Sequence, residues 1–166
     1  MRNCLIIGLL LLSSALCRAQ EQQDSLLVDE ETTVFQLDSV IGFAESLIGV
    51  PYKYGGCSPE GFDCSGFVNY VYSQFGISLP RSTPELALFG AEIPLDSCMK
   101  GDIILFSGRD KKKRPVGHAG IVVSEAGEPL RFIHSATSNA RGVIVTAFDA
   151  YEYYLTRFVK IVRVTD

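Results

Sequence analysis

Residues 63–76 read DCSGFVNYVYSQFG, the pattern of an amphipathic helix with signals at both ends. Asp63 is of a type that caps helix N-termini, and Gly76 is of a type that ends helices. Four apolar residues between them recur at helical spacing and are predicted to be buried: Phe67, Val68, Val71 and Phe75. Cys64 is therefore expected in the first helical turn, where unpaired backbone N–H groups and the helix dipole favour a thiolate over a thiol.

A second helix is predicted upstream of this one. Asp38 is its expected N-cap, and residues 49–51 (GVP) are expected to stop it. Five apolar residues recur on one face of this segment: Val40, Ile41, Ala44, Leu47 and Ile48. This helix is interpreted as scaffold, and residues 52–56 (YKYGG) as a glycine-containing turn between the two helices.

Beyond Pro80 the pattern changes to short runs rich in β-branched residues. Five strands are predicted, at residues 102–106, 118–123, 130–134, 143–146 and 158–164. Helices followed by strands predict an α+β fold, with N-terminal helices packed on an antiparallel β-sheet. The basic run from Lys111 to Arg114 falls in a loop and is interpreted as a solvated tip, with contact to acidic cell-envelope polymers as the alternative.

The composition is that of one compact domain. The chain has 166 residues, of which 47% are hydrophobic and 20% charged, so it can bury one substantial core. The formal net charge is −4, without the concentrated basic face that nucleic acid binding requires. Nucleic acid is therefore not an expected partner.

The first 19 residues have the features of a secretory signal peptide. Arg2 precedes an apolar run at residues 5–12 that is too short to span a bilayer. Cys17 and Ala19 then place small residues three and one positions before a possible cleavage site. Residues 20–36 are polar and acidic and are predicted to be a linker, which leaves residues 37–166 as the folded domain. We therefore expect an exported protein of the periplasm or cell envelope, without a stable membrane span.

Cysteine usage leaves two alternatives open. Lipidation at Cys17 is the less favoured one, because Leu16 precedes it where lipoprotein signals normally carry Gly, Ala or Ser. Cleavage after Ala19 would leave three cysteines, so at least one thiol is free or paired with another molecule. A disulfide between Cys57 and Cys98 is the second alternative, which the sequence does not decide.

The chain has two histidines, and both fall on predicted strands. If an antiparallel hairpin turns near Ala126, strand positions whose numbers sum to 252 lie opposite each other, and 118 plus 134 is 252. His118 and His134 are therefore predicted to be cross-strand neighbours on one face. With Cys64, they supply the nucleophile, the base and the group that orients the base in covalent acyl transfer.

Each of these residues also has a purely structural interpretation. Cys64 alone could be a buried structural thiol, and a single histidine could be a satisfied core side chain. The three side chains together are also suitable zinc ligands. Against zinc, the sequence has no Cys-x-x-Cys or His-x-x-x-His pair to hold a metal locally.

Six blocks of the sequence resemble, in order, the motifs of NlpC-type bacterial cell-wall cysteine peptidases. They are residues 52–56 (YKYGG), 63–68 (DCSGFV), 79–83 (LPRST), 101–106 (GDIILF), 117–121 (GHAGI) and 132–136 (FIHSA). The resemblance extends from Leu37 to Val164. It implies a papain-like α+β fold and cleavage of peptidoglycan stem peptides or muropeptides between D-γ-glutamate and a diamino acid, diaminopimelate or Lys, without a cofactor.

The resemblance also implies roles for individual residues. Cys64 corresponds to the nucleophile, His118 to the general base and His134 to the polar group that orients the base. Tyr52 corresponds to a tyrosine near the oxyanion, with a packed aromatic beside a turn as the structural alternative.

Further residues correspond to the part of the family site that binds the stem peptide. Asp63 and Ser65 correspond to the region that receives the free amine of the peptide's L-alanine, and Asp63 is equally suited to be an N-cap. Arg81 could bind a substrate carboxylate or pair with an acidic residue at the surface. Ser82 and Thr83 are expected only to begin the next helix.

Two other functions remain alternatives at this point. The first is a glycan–peptide amidase or an acyltransferase on the same scaffold, which would differ in the bond it acts on. The second is a module that binds peptidoglycan without cutting it, which is disfavoured because binding needs no Cys/His/His set. The oligomeric state is not predicted.

Overall fold

The computed structural model describes residues 36–108, 115–137 and 142–164. The predicted signal peptide, Cys17, nearly all of the acidic linker and the basic run at residues 111–114 lie outside the described residues. Contacts divide the chain into two units, Met1–Asp38 and Ser39–Asp166. No helix in the described part of the chain is long and apolar enough to cross a bilayer.

Four α-helices lie in the described residues. They are α1 at residues 36–46, α2 at Cys64–Ser73, α3 at Thr83–Leu86 and α4 at Glu152–Leu155. Single 3₁₀ turns occupy Leu95–Ser97 and Phe148–Ala150.

The α1 prediction was right about the helix and wrong about two details. Asp38 lies inside the helix rather than at its N-cap, because residues 36 and 37 are already helical. Ile48 is exposed, since the helix ends at residue 46 and the chain turns at Gly49, whose φ is 91°. The other four predicted apolar residues of this segment are buried.

In the described part of the chain, eight β-strands form two sheets. A small hairpin pairs β1 (Cys57–Ser58) with β2 (Gly61–Phe62). The main sheet is antiparallel throughout, in the order β3-β8-β4-β5-β6-β7. Its strands are β3 (Ala91–Ile93), β4 (Ile103–Ser107), β5 (Val116–Val122), β6 (Arg131–Ala136), β7 (Gly142–Ala147) and β8 (Phe158–Arg163).

The predicted α+β architecture is confirmed, including all five predicted strands to within two residues at each end. The missed main-sheet strand is β3, a three-residue edge strand with no buried residue. Such a short, exposed segment has no hydrophobic alternation for sequence reasoning to detect.

The main sheet is covered on both faces. On one face α1 and α2 pack against alternate strand residues such as Leu105, Ala119 and Ile133. On the other face a separate cluster contains Phe106, Phe132 and six further residues: Cys98, Ile104, Val122, Phe148, Tyr154 and Ile161. Full burial of a Phe or Leu side chain contributes about 1.5–3 kcal/mol, so both layers hold the strands firmly in register.

Both ends of α2 are fixed by local contacts. The Asp63 carboxylate accepts from Gly66 N at 2.6 Å, which confirms the predicted N-cap. Gly66 lies against the Gly56 carbonyl so closely that a Cβ there would be 2.0 Å from that oxygen. At the other end the helix stops at Ser73, and Gly76 takes a φ of 76°. The start of α2, and with it Cys64, is therefore held rigidly on the turn before β1.

Candidate active site

Cys64 is the first residue of α2 and lies beside the beginning of β5. Its Sγ is 4.0 Å from the Gly117 carbonyl oxygen, the residue before His118. The backbone N–H of Ala119, the residue after His118, also hydrogen-bonds to the sulfur. The predicted docking of the helix start against the strand that carries His118 is thus present in the structure.

The expected effect of the helix start on Cys64 is present, but it does not determine the net direction of the pKa shift. Burial is the largest effect and raises the pKa of the Cys64 thiol, and the adjacent Asp63 carboxylate raises it further. Backbone N–H groups of Ala119, Ser65 and Cys64 itself oppose this rise but do not overcome it. Burial therefore favours the thiol form of Cys64 over the thiolate.

The two imidazoles are in direct contact. His118 Nε2 lies 2.8 Å from His134 Nδ1, and the ring planes are nearly perpendicular, at 84°. His118 is partly exposed, whereas His134 is fully buried. The pair thus connects the surface of the cleft to the interior of the domain.

The predicted register of the histidine hairpin was wrong by two residues. Ile121 pairs with Ile133 and Val122 with Phe132, so facing positions sum to 254 rather than 252. The turn is centred on Gly127, which takes a φ of 81°, and not on Ala126. His118 and His134 are consequently diagonal neighbours on the same face, still within hydrogen-bond reach.

Gly120 makes room for the buried histidine. A Cβ at this position would lie 2.8 Å from Phe132 Cδ2 and 3.1 Å from His134 Cβ. A side chain here would therefore displace either the Phe132 ring or His134. The glycine belongs to the predicted GHAGI motif, although sequence reasoning did not assign it this task.

His134 is surrounded by groups that keep it neutral and oriented. Its Nε2 lies 3.0 Å from Thr146 Oγ1 on β7 and 3.4 Å from the Tyr154 hydroxyl on α4. Burial, and secondarily the neighbouring His118, lower the pKa of His134 well below its ordinary value. His134 therefore acts as a neutral hydrogen-bonding partner of His118.

Asp63, Ser65 and Arg81 form one polar cluster beside Cys64. Arg81 Nη2 donates to Asp63 Oδ2 at 2.7 Å, and Arg81 Nη1 donates to Asp63 Oδ1 at 3.1 Å and to Ser65 Oγ at 2.8 Å. Arg81 was predicted to bind either a substrate carboxylate or an acidic residue of the protein. In the structure it pairs with an acidic residue, Asp63. The same carboxylate serves as the N-cap of α2, so Asp63 has two structural partners at once.

The next block of the sequence begins a helix, as predicted. Ser82 is the N-cap of α3, and Glu85 accepts from its hydroxyl at 2.6 Å and from its backbone N–H at 3.4 Å. Thr83 Oγ1 donates to the Val116 carbonyl on β5 at 3.1 Å. These contacts attach the segment after Arg81 to the strand that carries His118.

Cys64, His118 and His134 line one cleft together with Tyr52. Tyr52 forms an isolated parallel bridge with Phe62, which places it at the edge of the cleft near β2. Several further tyrosines and two threonines also line it: Tyr54, Thr137, Thr146, Tyr151, Tyr153 and Tyr154. All four residues assigned to catalysis by resemblance therefore border one cleft, and His134 is the fully buried one among them.

The structure bears on two alternatives, a Cys57–Cys98 disulfide and a metal site. Cys57 and Cys98 are both free thiols, one exposed and the other buried, so the Cys57–Cys98 disulfide is not formed. Within residues 36–108, 115–137 and 142–164, no group of three or more His, Cys, Asp or Glu side chains is arranged to hold a metal ion. The facing nitrogens of His118 and His134 are directed at each other rather than around a common ion.

Comparison with known proteins identifies the family. A family model described as NlpC/P60 matches residues 49–163. The chain belongs to the NlpC/P60 family. The NlpC/P60 domain is therefore a peptidase of the cysteine type with a papain-like α+β fold, as the sequence motifs predicted.

Individual relatives agree with this assignment. The NlpC/P60 chain is 34% identical over 151 residues to the probable endopeptidase NlpC of Escherichia coli (strain K12), covering 90% of this chain and 91% of that protein. It is 32% identical over 106 residues to the gamma-D-glutamyl-L-lysine dipeptidyl-peptidase of Bacillus subtilis (strain 168), covering 64% of this chain but 35% of that one. A crystal structure of an NlpC/P60 family protein from Bacillus cereus ATCC 10987 superposes with a TM-score of 0.70 at 28% identity, covering 78% and 40% of the two chains.

Sequence reasoning missed two polar residues of the site, Thr146 and Tyr154. Thr146 lies two positions from Ile144, which pairs directly with His134, so it shares the His134 face of the sheet. An accurate β6–β7 register would have revealed it. Tyr154 had no comparable signal, because α4 comes beside His134 only through tertiary packing, with ring centroids 5.6 Å apart.

Proposed function

We propose that this chain is an exported peptidoglycan hydrolase that cleaves stem peptides at the bond between D-γ-glutamate and a diamino acid. Cys64 is the nucleophile, His118 the general base and His134 the group that orients His118. The observation that carries the proposal is the shared cleft, in which Cys64 lies beside the backbone around His118 and His118 contacts His134 at 2.8 Å. No cofactor takes part in the proposed reaction.

The first step is acylation of Cys64. Nδ1 of His118 accepts the thiol proton, and the sulfur attacks the γ-carbonyl carbon of D-glutamate to form a tetrahedral intermediate. The intermediate collapses with cleavage of the C–N bond, and His118 gives its proton to the leaving amine. The raised pKa of Cys64 makes the base essential, since little thiolate exists without it.

The second step is hydrolysis of the thioester. His118 takes a proton from a water molecule, whose oxygen attacks the acyl carbon. The C–S bond breaks, and His118 returns its proton to the Cys64 sulfur. The D-glutamate γ-carboxyl group is released and loses the second proton of the water to solvent. Neutral His134 accepts a hydrogen bond from the Nε2–H of His118 and so stabilises the imidazolium present in both steps.

Two groups are proposed to bind the substrate rather than to take part in proton transfer from Cys64. Tyr52 lines the cleft with Cys64 and donates its hydroxyl to the oxyanion of the tetrahedral intermediate. Asp63, held by Arg81, receives the free amine of L-alanine at the end of the stem peptide.

The substrate class is supported by the relatives. The name of the Bacillus subtilis protein specifies a gamma-D-glutamyl-L-lysine bond. We extend this bond type to the present chain, with either lysine or diaminopimelate on the leaving side. The signal peptide predicted at residues 1–19 would deliver the enzyme to the envelope, where this substrate is found.

The test is the identity of the bond that is cut. Free stem peptides and muropeptides containing either diaminopimelate or lysine are incubated with the enzyme, and the products are identified by mass spectrometry. Release of L-Ala-D-Glu from the free stem peptides is the expected result, because these carry the L-alanine amine that Asp63 receives. Release of an intact stem peptide from the muropeptides would instead show an amidase, and no change in either substrate would show a binding module; either outcome overturns the proposal.

A further inference from the structure

His134 is hydrogen-bonded at both ring nitrogens, and one of its partners has no assigned role. Nδ1 contacts His118 Nε2 at 2.8 Å, and Nε2 contacts Thr146 Oγ1 at 3.0 Å. Thr146 is 6% exposed and His134 is fully buried, so water does not compete freely for this second contact. A neutral imidazole carries one proton on one of these two nitrogens.

The position of that proton decides whether His118 can act as a base. If His134 is protonated at Nε2, its Nδ1 accepts from the Nε2–H of His118, and Nδ1 of His118 can accept a proton. If His134 is protonated at Nδ1, it donates to His118 Nε2. The proton of His118 must then lie on its own Nδ1, where it blocks transfer from Cys64.

Thr146 is arranged to favour the first of these states. Its Oγ1 lies 3.0 Å from His134 Nε2, and the Tyr154 hydroxyl lies 3.4 Å from the same nitrogen. The first state has its proton on Nε2, and the Thr146 oxygen beside that nitrogen can accept a hydrogen bond from it. The Tyr154 ring is itself fixed, because it packs edge-on against Phe132 at 5.1 Å and His134 at 5.6 Å.

We infer that Thr146 is a positioning residue that accepts a hydrogen bond from His134 Nε2–H and so holds His134 in the tautomer protonated at Nε2. The inference rests on the proposed proton transfer from Cys64 to His118. Thr146 acts through His134 and not on the substrate. Its loss should therefore lower kcat and leave KM unchanged.

The tautomer can be read directly by NMR. The chain has two histidines, so ¹⁵N-histidine labelling gives two imidazole patterns in a long-range ¹H–¹⁵N spectrum, and a His118→Ala sample assigns them. We expect His134 to be protonated at Nε2 in the wild type. The same spectrum is recorded for Cys64→Ala, so the tautomer is determined even if Cys64 is not the nucleophile.

Thr146→Val is the decisive variant, because it removes the hydroxyl and nearly conserves the shape. We expect His134 to shift towards protonation at Nδ1 and kcat to fall by about tenfold or more, since a wrong tautomer disables the base. Thr146→Ser, which restores the hydroxyl, should restore both readouts. Thr146→Ala makes the same comparison if the valine variant does not fold.

Three results would overturn the inference. The first is a wild-type His134 protonated at Nδ1. The second is a hydroxyl-free variant whose His134 tautomer is unchanged, and the third is one whose kcat is unchanged. Failure of the proposed function is a separate result, since it would be seen as full activity in Cys64→Ala with the tautomer still determined.

Discussion

His118 Nε2 and His134 Nδ1 lie 2.8 Å apart, and this contact links a ring at the cleft surface to a ring with no solvent exposure. The two rings therefore have different roles although they are chemically identical. His118 can exchange protons with the cleft, whereas burial keeps His134 neutral. The buried ring holds the exposed one in place.

His134→Ala should lower kcat by about 10²- to 10⁴-fold, because His118 loses the partner that orients it and stabilises its charged form. KM should change little, since His134 is buried beneath His118. His134→Asn offers a carbonyl acceptor near the same place and should retain more activity than the alanine variant. Steady-state kinetics on a defined stem peptide provide the comparison, and a wild-type kcat in His134→Ala would refute this role.

Alkylation of Cys64 should depend on His118. Burial raises the pKa of the Cys64 thiol, so rapid reaction with iodoacetamide at pH 7 requires a base to accept the proton. We expect His118→Ala to slow the labelling of Cys64 at neutral pH and to regain speed only in alkaline solution. Peptide mapping separates Cys64 from the exposed Cys57. If the alkylation rate of Cys64 depended on pH identically in the wild type and His118→Ala, the assignment of His118 as base would be contradicted.

Asp63→Asn should have the opposite effect on the same thiol. The Asp63 carboxylate raises the pKa of Cys64, so its neutralisation lowers that pKa and increases the thiolate fraction at pH 7. Asparagine is also a good N-cap, so α2 should remain intact. We expect faster alkylation of Cys64, with Asp149→Asn, at an exposed position, as the control. A slower reaction in Asp63→Asn would show that this carboxylate does not disfavour the thiolate.

Arg81→Ala should affect activity much more than stability. Arg81 is about half exposed, and exposed ion pairs contribute less than about 1 kcal/mol to the free energy of unfolding. Its hydrogen bonds nevertheless fix Asp63 and Ser65 beside Cys64, so kcat/KM should fall by about 10- to 100-fold. Glu92→Gln breaks an exposed ion pair with Lys160 and should leave kcat/KM unchanged. Equal kcat/KM values for the two variants would remove Arg81 from the substrate-binding cluster.

Stability should fall in mild acid because of His134. The folded-state pKa of His134 is depressed, so below about pH 6.5 the unfolded chain binds a proton that the folded chain does not. This contribution lowers the free energy of unfolding by up to about 1.4 kcal/mol per pH unit until the folded-state pKa is reached. The free energy of unfolding is measured by urea denaturation between pH 7 and pH 5 for the wild type and His134→Asn. It should fall less steeply with decreasing pH in the variant. Parallel curves would mean that His134 titrates normally in the fold.

The sequence predicted those features that depend on local pattern. Asp63 as N-cap, Cys64 in the first turn of α2 and the five main strands follow from capping chemistry and hydrophobic spacing. The pairing of His118 with His134 also followed, because residues on one face of a hairpin remain neighbours after a shift of two positions. Cys64 was grouped with them by the docking expected of the helix start. The short edge strand β3 lacked a pattern and was missed.

The remaining features depend on three-dimensional context. The hairpin register was set by the left-handed conformation of Gly127, which the sequence allowed but did not require. The pKa of Cys64 rises because the folded chain buries the thiol, an effect that a helix position alone does not reveal. Thr146 and Tyr154 reach His134 through strand pairing and packing between distant segments.

The central claim is that the Cys64 sulfur attacks the substrate, and turnover of one defined peptide tests it most directly. The substrate is L-Ala-γ-D-Glu-L-Lys or its diaminopimelate counterpart, and released diamino acid is quantified for the wild type, Cys64→Ala and Cys98→Ala. Cys98 packs in the second core cluster, outside the residues lining the cleft, and serves as the matched cysteine control. The account predicts release by the wild type and Cys98→Ala and none by a folded Cys64→Ala. Release by Cys64→Ala at the wild-type rate would contradict it.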